Sequence, residues 1–318
     1  MESQTWQIVL TFSLMSTESI CKRLFRILMT ATYAIEGFIP FCSHQIWYRI
    51  IKPKREEFGK LPLLCLHGGP GVPHDYLEPL EAVAETGRSV IFYDQLGCGN
   101  SDRPNDPNLY SIDLFKKELV TVRKALNLEQ IHLFGQSWGG CLALEHALSQ
   151  ATGLVSLILA STPASVQQFA TEAYGLMNDL PAEVQQIIRK HEAEGTTQSP
   201  EYKKAMELFN YSFLCRLDPW PSCLTKAYSK VGTEFRGIGK IIDWNIENRL
   251  FEIVAPTLLL SGFYDEVTPA CVGIVNKGIS GSQWVLFENS SHMPHLEETE
   301  RFLQVLDEFL HSVEENKD

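Results

Sequence analysis

The sequence predicts an α/β protein, in which a mostly parallel central sheet is flanked by helices and a helical lid is inserted into the second half. Three observations predict it. Short, continuously apolar runs alternate with helical patterns along most of the chain. One long stretch, from about 164 to 250, lacks such runs and is punctuated by prolines. The length of 318 residues, with 44% hydrophobic and 21% charged residues, suits one sizeable globular domain that carries an insertion.

The elements follow in order. Phe38 to Phe41 and Gln45 to Ile51 read as a leading antiparallel pair. Leu61 to Leu66 is a continuous apolar run, as a strand buried on both faces requires. Ser89 to Tyr93, Ile131 to Phe134, Leu154 to Ala160 and Thr257 to Leu260 repeat that signature, and Gln283 to Phe287 is expected to be the last strand. Leu114 to Leu126, Cys141 to Ser149 and Arg301 to Val313 carry helical patterns. Residues 164–250, with Pro181, Pro200, Pro219 and Pro221 as breaks, are expected to form a helical cap over the sheet's carboxyl edge, where open α/β sheets bind ligands. Residues 31–163 and 251–318 then make the core. Residues 1–30 are expected to be a poorly ordered extension outside it, with Met29 as an alternative start of translation.

The balance of 27 basic against 39 acidic residues, a net charge of -12, offers no basic groove for a nucleic acid. The eight cysteines are scattered, with no C-x-x-C pair and no metal-like spacing, which suits reduced core thiols in a cytoplasmic protein. No apolar run approaches the roughly 20 residues of a membrane span. Trp6 to Met15 is too short and lacks the preceding basic residues of a signal peptide.

Ile131 to Phe134 runs directly into Gly135-Gln136-Ser137-Trp138-Gly139-Gly140, and a helical pattern follows at once. This is G-x-S-x-G between a strand and a helix, the setting of the nucleophile in the α/β-hydrolase fold. The turn strains Ser137 and lifts its hydroxyl clear of the sheet, at a helix N-terminus that favours developing negative charge. Side chains at Gly135 or Gly139 are expected to collide with neighbouring backbone. In this fold one oxyanion N–H comes from the residue after the nucleophile, here Trp138, and one from the loop after the first buried strand. That loop is His67-Gly68-Gly69-Pro70-Gly71, with Gly69 the first choice of donor and Gly68 the second; His67 is expected to order the loop. Chain order then asks for a carboxylate and a histidine. Asp265 follows the Thr257–Leu260 strand and fits as the orienting acid. His292 follows the last strand and fits as the base, with His295 as the competitor. Neither a metal nor an organic cofactor is implied.

With these residues in hand, the chain resembles the proline iminopeptidase family of α/β-hydrolases, particularly its archaeal tricorn-associated aminopeptidases. Three stretches carry the resemblance: His67-Gly-Gly-Pro-Gly71, Asp94-Gln-Leu-Gly-Cys-Gly-Asn-Ser101 and Gly135-Gln-Ser-Trp-Gly-Gly140. It runs from about Glu36 to Leu310. The resemblance implies a serine hydrolase that removes an N-terminal residue, often proline, from short peptides, or cleaves amino-acid amides. It also implies that acidic residues bind the substrate's free amine. Glu234 and Glu266 match those positions, although Thr233 stands where the family usually has Asn. Asp94 is expected to order its loop. Two other functions compete: an esterase or lactonase on neutral small molecules, which the same triad would serve, and a non-catalytic receptor on the same fold. An epoxide hydrolase or dehalogenase would normally carry Asp in place of Ser137.

Overall fold

The computed structural model describes residues 32–106, 108–232 and 241–316. The 1–30 extension and Glu234 lie outside the described residues. Among those described, eight strands form one sheet: β1 (Tyr33–Phe41), β2 (His44–Lys52), β3 (Leu63–Leu66), β4 (Val90–Tyr93), β5 (Ile131–Gln136), β6 (Leu154–Ala160), β7 (Thr257–Gly262) and β8 (Gln283–Phe287). Their spatial order is β1-β2-β4-β3-β5-β6-β7-β8. β2 runs antiparallel to both β1 and β4. Every pair from β4 onward is parallel. The expected strands are present with shifted ends; the first begins at Tyr33 rather than Phe38.

The apolar runs exist because the central strands are buried on both faces, and successive side chains point to opposite sides. Leu64, Ile91, Leu133, Leu157 and Leu259 enter one core layer. Their neighbours Cys65, Phe92, Phe134, Ile158 and Leu260 enter the other. Each such side chain contributes roughly 1.5–3 kcal/mol of burial, and a polar residue in these runs is held by a buried partner, as His132 and Ser156 hold each other at 2.7 Å.

Helices cover both layers. α1 (Ile112–Ala125) starts at Ser111, whose Oγ accepts the Leu114 N–H at 3.2 Å. It packs Phe115, Leu119 and Val122 on the first layer, beside α2 (Trp138–Leu148). Between β6 and β7 come α3 (Val166–Leu176), α4 (Ala182–Ala193), α5 (Pro200–Phe209), a π-helical turn at Asn210–Leu214 and α6 (Ser222–Ser229). After β7 come α7 (Pro269–Gly278), the short α8 (Pro294–Glu297) and α9 (Thr299–Glu315). α9 lays Phe302, Leu306, Phe309 and Leu310 on the second layer, together with a run of 3-10 turns at His74–Thr86. No helix of the described residues is long and apolar enough to cross a membrane.

The segment between β6 and β7 has a small core of its own, built from Met177, Leu180, Ile188, Ala205, Phe209 and Phe213. Its two ends are zipped together: the Val166 N–H donates to Trp244 O at 3.0 Å, and the Ile246 N–H to Ala164 O at 2.9 Å. α6 is fastened to the His74–Thr86 run, because Lys226 and Lys230 both bring Nζ to 2.8 Å from Oδ1 of the fully buried Asp75. A carboxylate so buried needs such cations.

Candidate active site

The site is built at the carboxyl edge of β3, β5, β7 and β8. Leaving β5, Ser137 adopts φ 54° and ψ −118° before α2 begins. A left-handed φ on a side-chain-bearing residue costs of order 1–3 kcal/mol, so the surroundings must hold it. They do so with backbone. The Ser137 N–H donates to Ala160 O at 2.8 Å, and the Ser137 carbonyl accepts from Gly140 N at 2.9 Å. A Cβ on Gly135 would strike the Gly139 carbonyl, and one on Gly139 the Leu66 carbonyl, so both positions are restricted to glycine.

Asp265, buried just past β7, accepts from His292 Nδ1 at 2.6 Å and from Val267 N at 2.8 Å. With Nδ1 so engaged, Nε2 is the ring atom left for other chemistry. His292 and Ser137 line one small cavity of about 50 Å³, together with Gly69, Tyr76, Tyr228 and Glu266. Glu266 Oε1 lies 3.7 Å from His292 Nε2. Burial opposes the His292 imidazolium, but the charge and hydrogen bond of Asp265, with Glu266 and Glu297 behind it, push its pKa up to about 9. His295 turns elsewhere, its Nε2 lying 3.1 Å from Tyr76 O. Burial pulls its pKa down to about 3, so it is neutral.

The His67–Gly71 loop is tied to the Ser137 turn by side chains. Gly68 N–H donates to Tyr76 Oη at 2.6 Å; that hydroxyl donates to Gln136 Oε1 at 2.7 Å; Gln136 Nε2 donates to His292 O at 3.3 Å. On the far side, Gln95 N–H donates to His67 Nε2 at 2.9 Å, and Gln95 Oε1 accepts the Trp138 indole N–H at 2.9 Å. Burial draws His67 down to about 4, which keeps it neutral and able to accept at Nε2. Asp94 accepts from His74 N at 3.0 Å, from the His74 ring at 2.7 Å and from Asn100 N at 2.8 Å. Glu297 of α8 accepts the N–H groups of Ser291 at 2.9 Å and Met293 at 3.3 Å, one on each side of His292, and Arg216 N at 2.9 Å. The Phe213 carbonyl, in the π-helical turn, accepts both Glu266 N at 3.1 Å and His292 N at 3.3 Å.

The sequence reading missed Tyr76, Gln95, Gln136 and Glu297. Gln95 and Gln136 lie inside two of the stretches that carry the family resemblance, which is the signal that could have found them. Glu297 sits on a four-residue helix with no periodicity to flag it. Among the described residues, His74, Asp75 and Glu78 have the spacing to hold a metal ion. Those carboxylates already face Lys226 of α6 and Lys230 just after it, and the His74 ring faces Asp94, so the two lysines fill that role.

The α/β hydrolase fold family matches residues 62–299. A proline iminopeptidase of Saccharolobus solfataricus is 38% identical over 290 residues, covering 87% of this chain and 93% of its own. One from Lactobacillus acidophilus is 39% identical, covering 87% of this chain and 98% of its own. The crystal structure of a Mycobacterium smegmatis proline iminopeptidase superposes with a TM-score of 0.83 at 36% identity, covering 89% of this chain and all of the other. With a strand–turn–helix serine, a buried carboxylate–imidazole pair and relatives matched along nearly their whole length, the chain belongs to the proline iminopeptidase family of α/β-hydrolases.

Proposed function

We propose that the protein is a serine hydrolase that releases N-terminal residues, proline above all, from short peptides or cleaves amino-acid amides. Ser137 is the nucleophile, His292 Nε2 takes its proton, and Asp265 holds the imidazole and stabilises its charge. The N–H groups of Gly69 and Trp138 receive the oxyanion. Gly68 is the poorer donor because its N–H is committed to Tyr76, and Pro70 has none. The acyl-enzyme forms as the amine leaves, with His292 returning the proton, and water then clears it. Glu266, beside the cavity, and Glu234 hold the substrate's ammonium, which sets the scissile carbonyl at a fixed reach and excludes internal peptide bonds. The seven described cysteines are all free thiols, which supports a reducing compartment, the cytoplasm.

The observation that carries this reading is the 2.6 Å Asp265–His292 contact on a cavity that Ser137 shares. A panel of aminoacyl-naphthylamides, with and without N-acetylation, tests it. Hydrolysis concentrated on free-amine substrates, prolyl first, is expected. Equal rates on acetylated substrates or simple esters would favour the esterase reading instead.

A further inference from the structure

Resting on that amine-binding reading, we propose that Glu266 restrains His292 in the free protein and that the substrate's own ammonium releases it. A free amine is then needed to switch the base on as well as to hold the substrate.

The geometry is that of one ring between two carboxylates. Asp265 Oδ1 stands 2.6 Å from Nδ1, and Glu266 Oε1 stands 3.7 Å from Nε2, the atom that must take the Ser137 proton. An imidazolium protonated at both nitrogens has no lone pair for that task. Opposite charge at both ends favours that inert form. The raised His292 pKa, about 9, agrees with this placement. The titratable groups acting on the ring come from two elements. Asp265 and Glu266 share the loop after β7, Glu297 approaches from α8, and neutral His295 sits on α8 as well. Tyr228 of α6 lies against Glu266, its phenol kept protonated by burial first and by that carboxylate second.

Asp265 and Glu297 are engaged with the protein's own donors, Val267 N for the first and the Ser291, Met293 and Arg216 N–H groups for the second. Glu266 is the carboxylate that lines the cavity, with a side chain 22% exposed. An ammonium arriving there cancels its charge within a few ångströms of Nε2. The Nε2 proton then passes to solvent. The neutral ring accepts the Ser137 proton as the Oγ–carbonyl bond forms. A neutral ester brings no such cation, so it meets a base that is largely switched off near pH 7.

The test is Glu266→Gln, which keeps the shape and removes the charge. Rates are read across pH on p-nitrophenyl acetate and on prolyl-naphthylamide. The variant's acidic limb on the ester is expected to move to lower pH. That should raise kcat/KM near pH 7 roughly threefold or more, because a tenfold weaker hold on the Nε2 proton leaves about ten times as much neutral ring. Its rate on prolyl-naphthylamide should fall. An ester profile that superimposes on the parent's, or lies below it, overturns the restraint. A raised ester rate with an undiminished preference for free amines leaves the restraint standing but overturns its release by the ammonium, together with the part given to Glu266 in amine binding. The unmodified protein supplies a check that does not depend on the variant folding. Fluorophosphonate labelling of Ser137 should show an acidic limb well above the ordinary imidazole value of 6.5, and a limb at that value overturns the restraint.

Discussion

Two serine–histidine–carboxylate groupings sit at opposite ends of the same sheet, and only one of them has the makings of a catalyst. At the carboxyl edge, Asp265 holds His292 at 2.6 Å beside Ser137. At the other edge, Glu314 Oε1 stands 3.1 Å from His132 Nε2, and His132 Nδ1 stands 2.7 Å from Ser156 Oγ. The parts are the same; the surroundings differ. Ser156 lies inside β6 with no exposure and no left-handed φ, whereas Ser137 is strained, at the start of a helix and on a cavity. Glu314 is saturated with donors: Leu61 N at 2.9 Å, Arg88 at 2.7 and 3.0 Å, and His132. Asp265 keeps one buried oxygen, Oδ2, without a hydrogen-bond partner among the described residues. A triad's composition therefore does not make a site. Access, backbone strain and unfinished hydrogen bonding do.

The sharpest way to break that comparison is to remove each hydroxyl in turn. Ser137→Ala should lower kcat by at least about a thousandfold, as loss of a nucleophile does elsewhere. Ser156→Ala should leave kcat and KM unchanged and cost about 1 kcal/mol or more of stability for the buried Ser156–His132 hydrogen bond it removes. Steady-state kinetics with a thermal melt of each variant would decide. Comparable loss of turnover in both would mean that the two ends are coupled.

What the sequence made legible follows from locality. The central strands announce themselves because burial on both faces keeps their runs largely apolar, and Ser137 does so because its glycines, turn and helix are contiguous. Asp265 and His292 were placed by chain order alone, each at the end of a strand. The supports were illegible because they join positions far apart without altering local pattern: Tyr76 to Gln136 spans 60 residues, and His132 to Glu314 spans 182. The His74–Thr86 run, with Pro79 inside, and the π-helical turn follow no 3.6-residue period, so periodicity could not reveal them.

At the closed end, a smaller effect is expected, and on stability rather than turnover. Glu314→Ala strips the counter-charge from Arg88, whose side chain is fully buried, and should cost about 3–5 kcal/mol. Burial raises the Glu314 pKa, but hydrogen bonds from His132, Arg88 and Leu61 N outweigh it and hold the carboxyl well below its ordinary 4.5. The depressed folded-state value means that this stabilisation is complete above the ordinary value and is lost as pH falls through the folded one. The gap between parent and variant in denaturant melts should therefore be widest near neutrality and close in acid. A gap independent of pH would show that Glu314 acts by packing.

The smallest effect lies back at the open end, on Glu297. It is not among the residues lining the cavity, yet its carboxylate takes the N–H groups on both sides of His292. Glu297→Gln replaces one acceptor oxygen with an amide that faces donors, so the histidine loop should loosen without touching substrate. The expected result is a fall in kcat of roughly three- to tenfold with KM nearly unchanged, because small misplacements of a base tax the chemical step. The variant also removes a negative charge that raises the His292 pKa, so the acidic limb should move to lower pH. A purely structural residue would lower the melting temperature and leave that limb where it was. The limb thus separates positioning from packing, and its staying put would return Glu297 to the same class as Glu314.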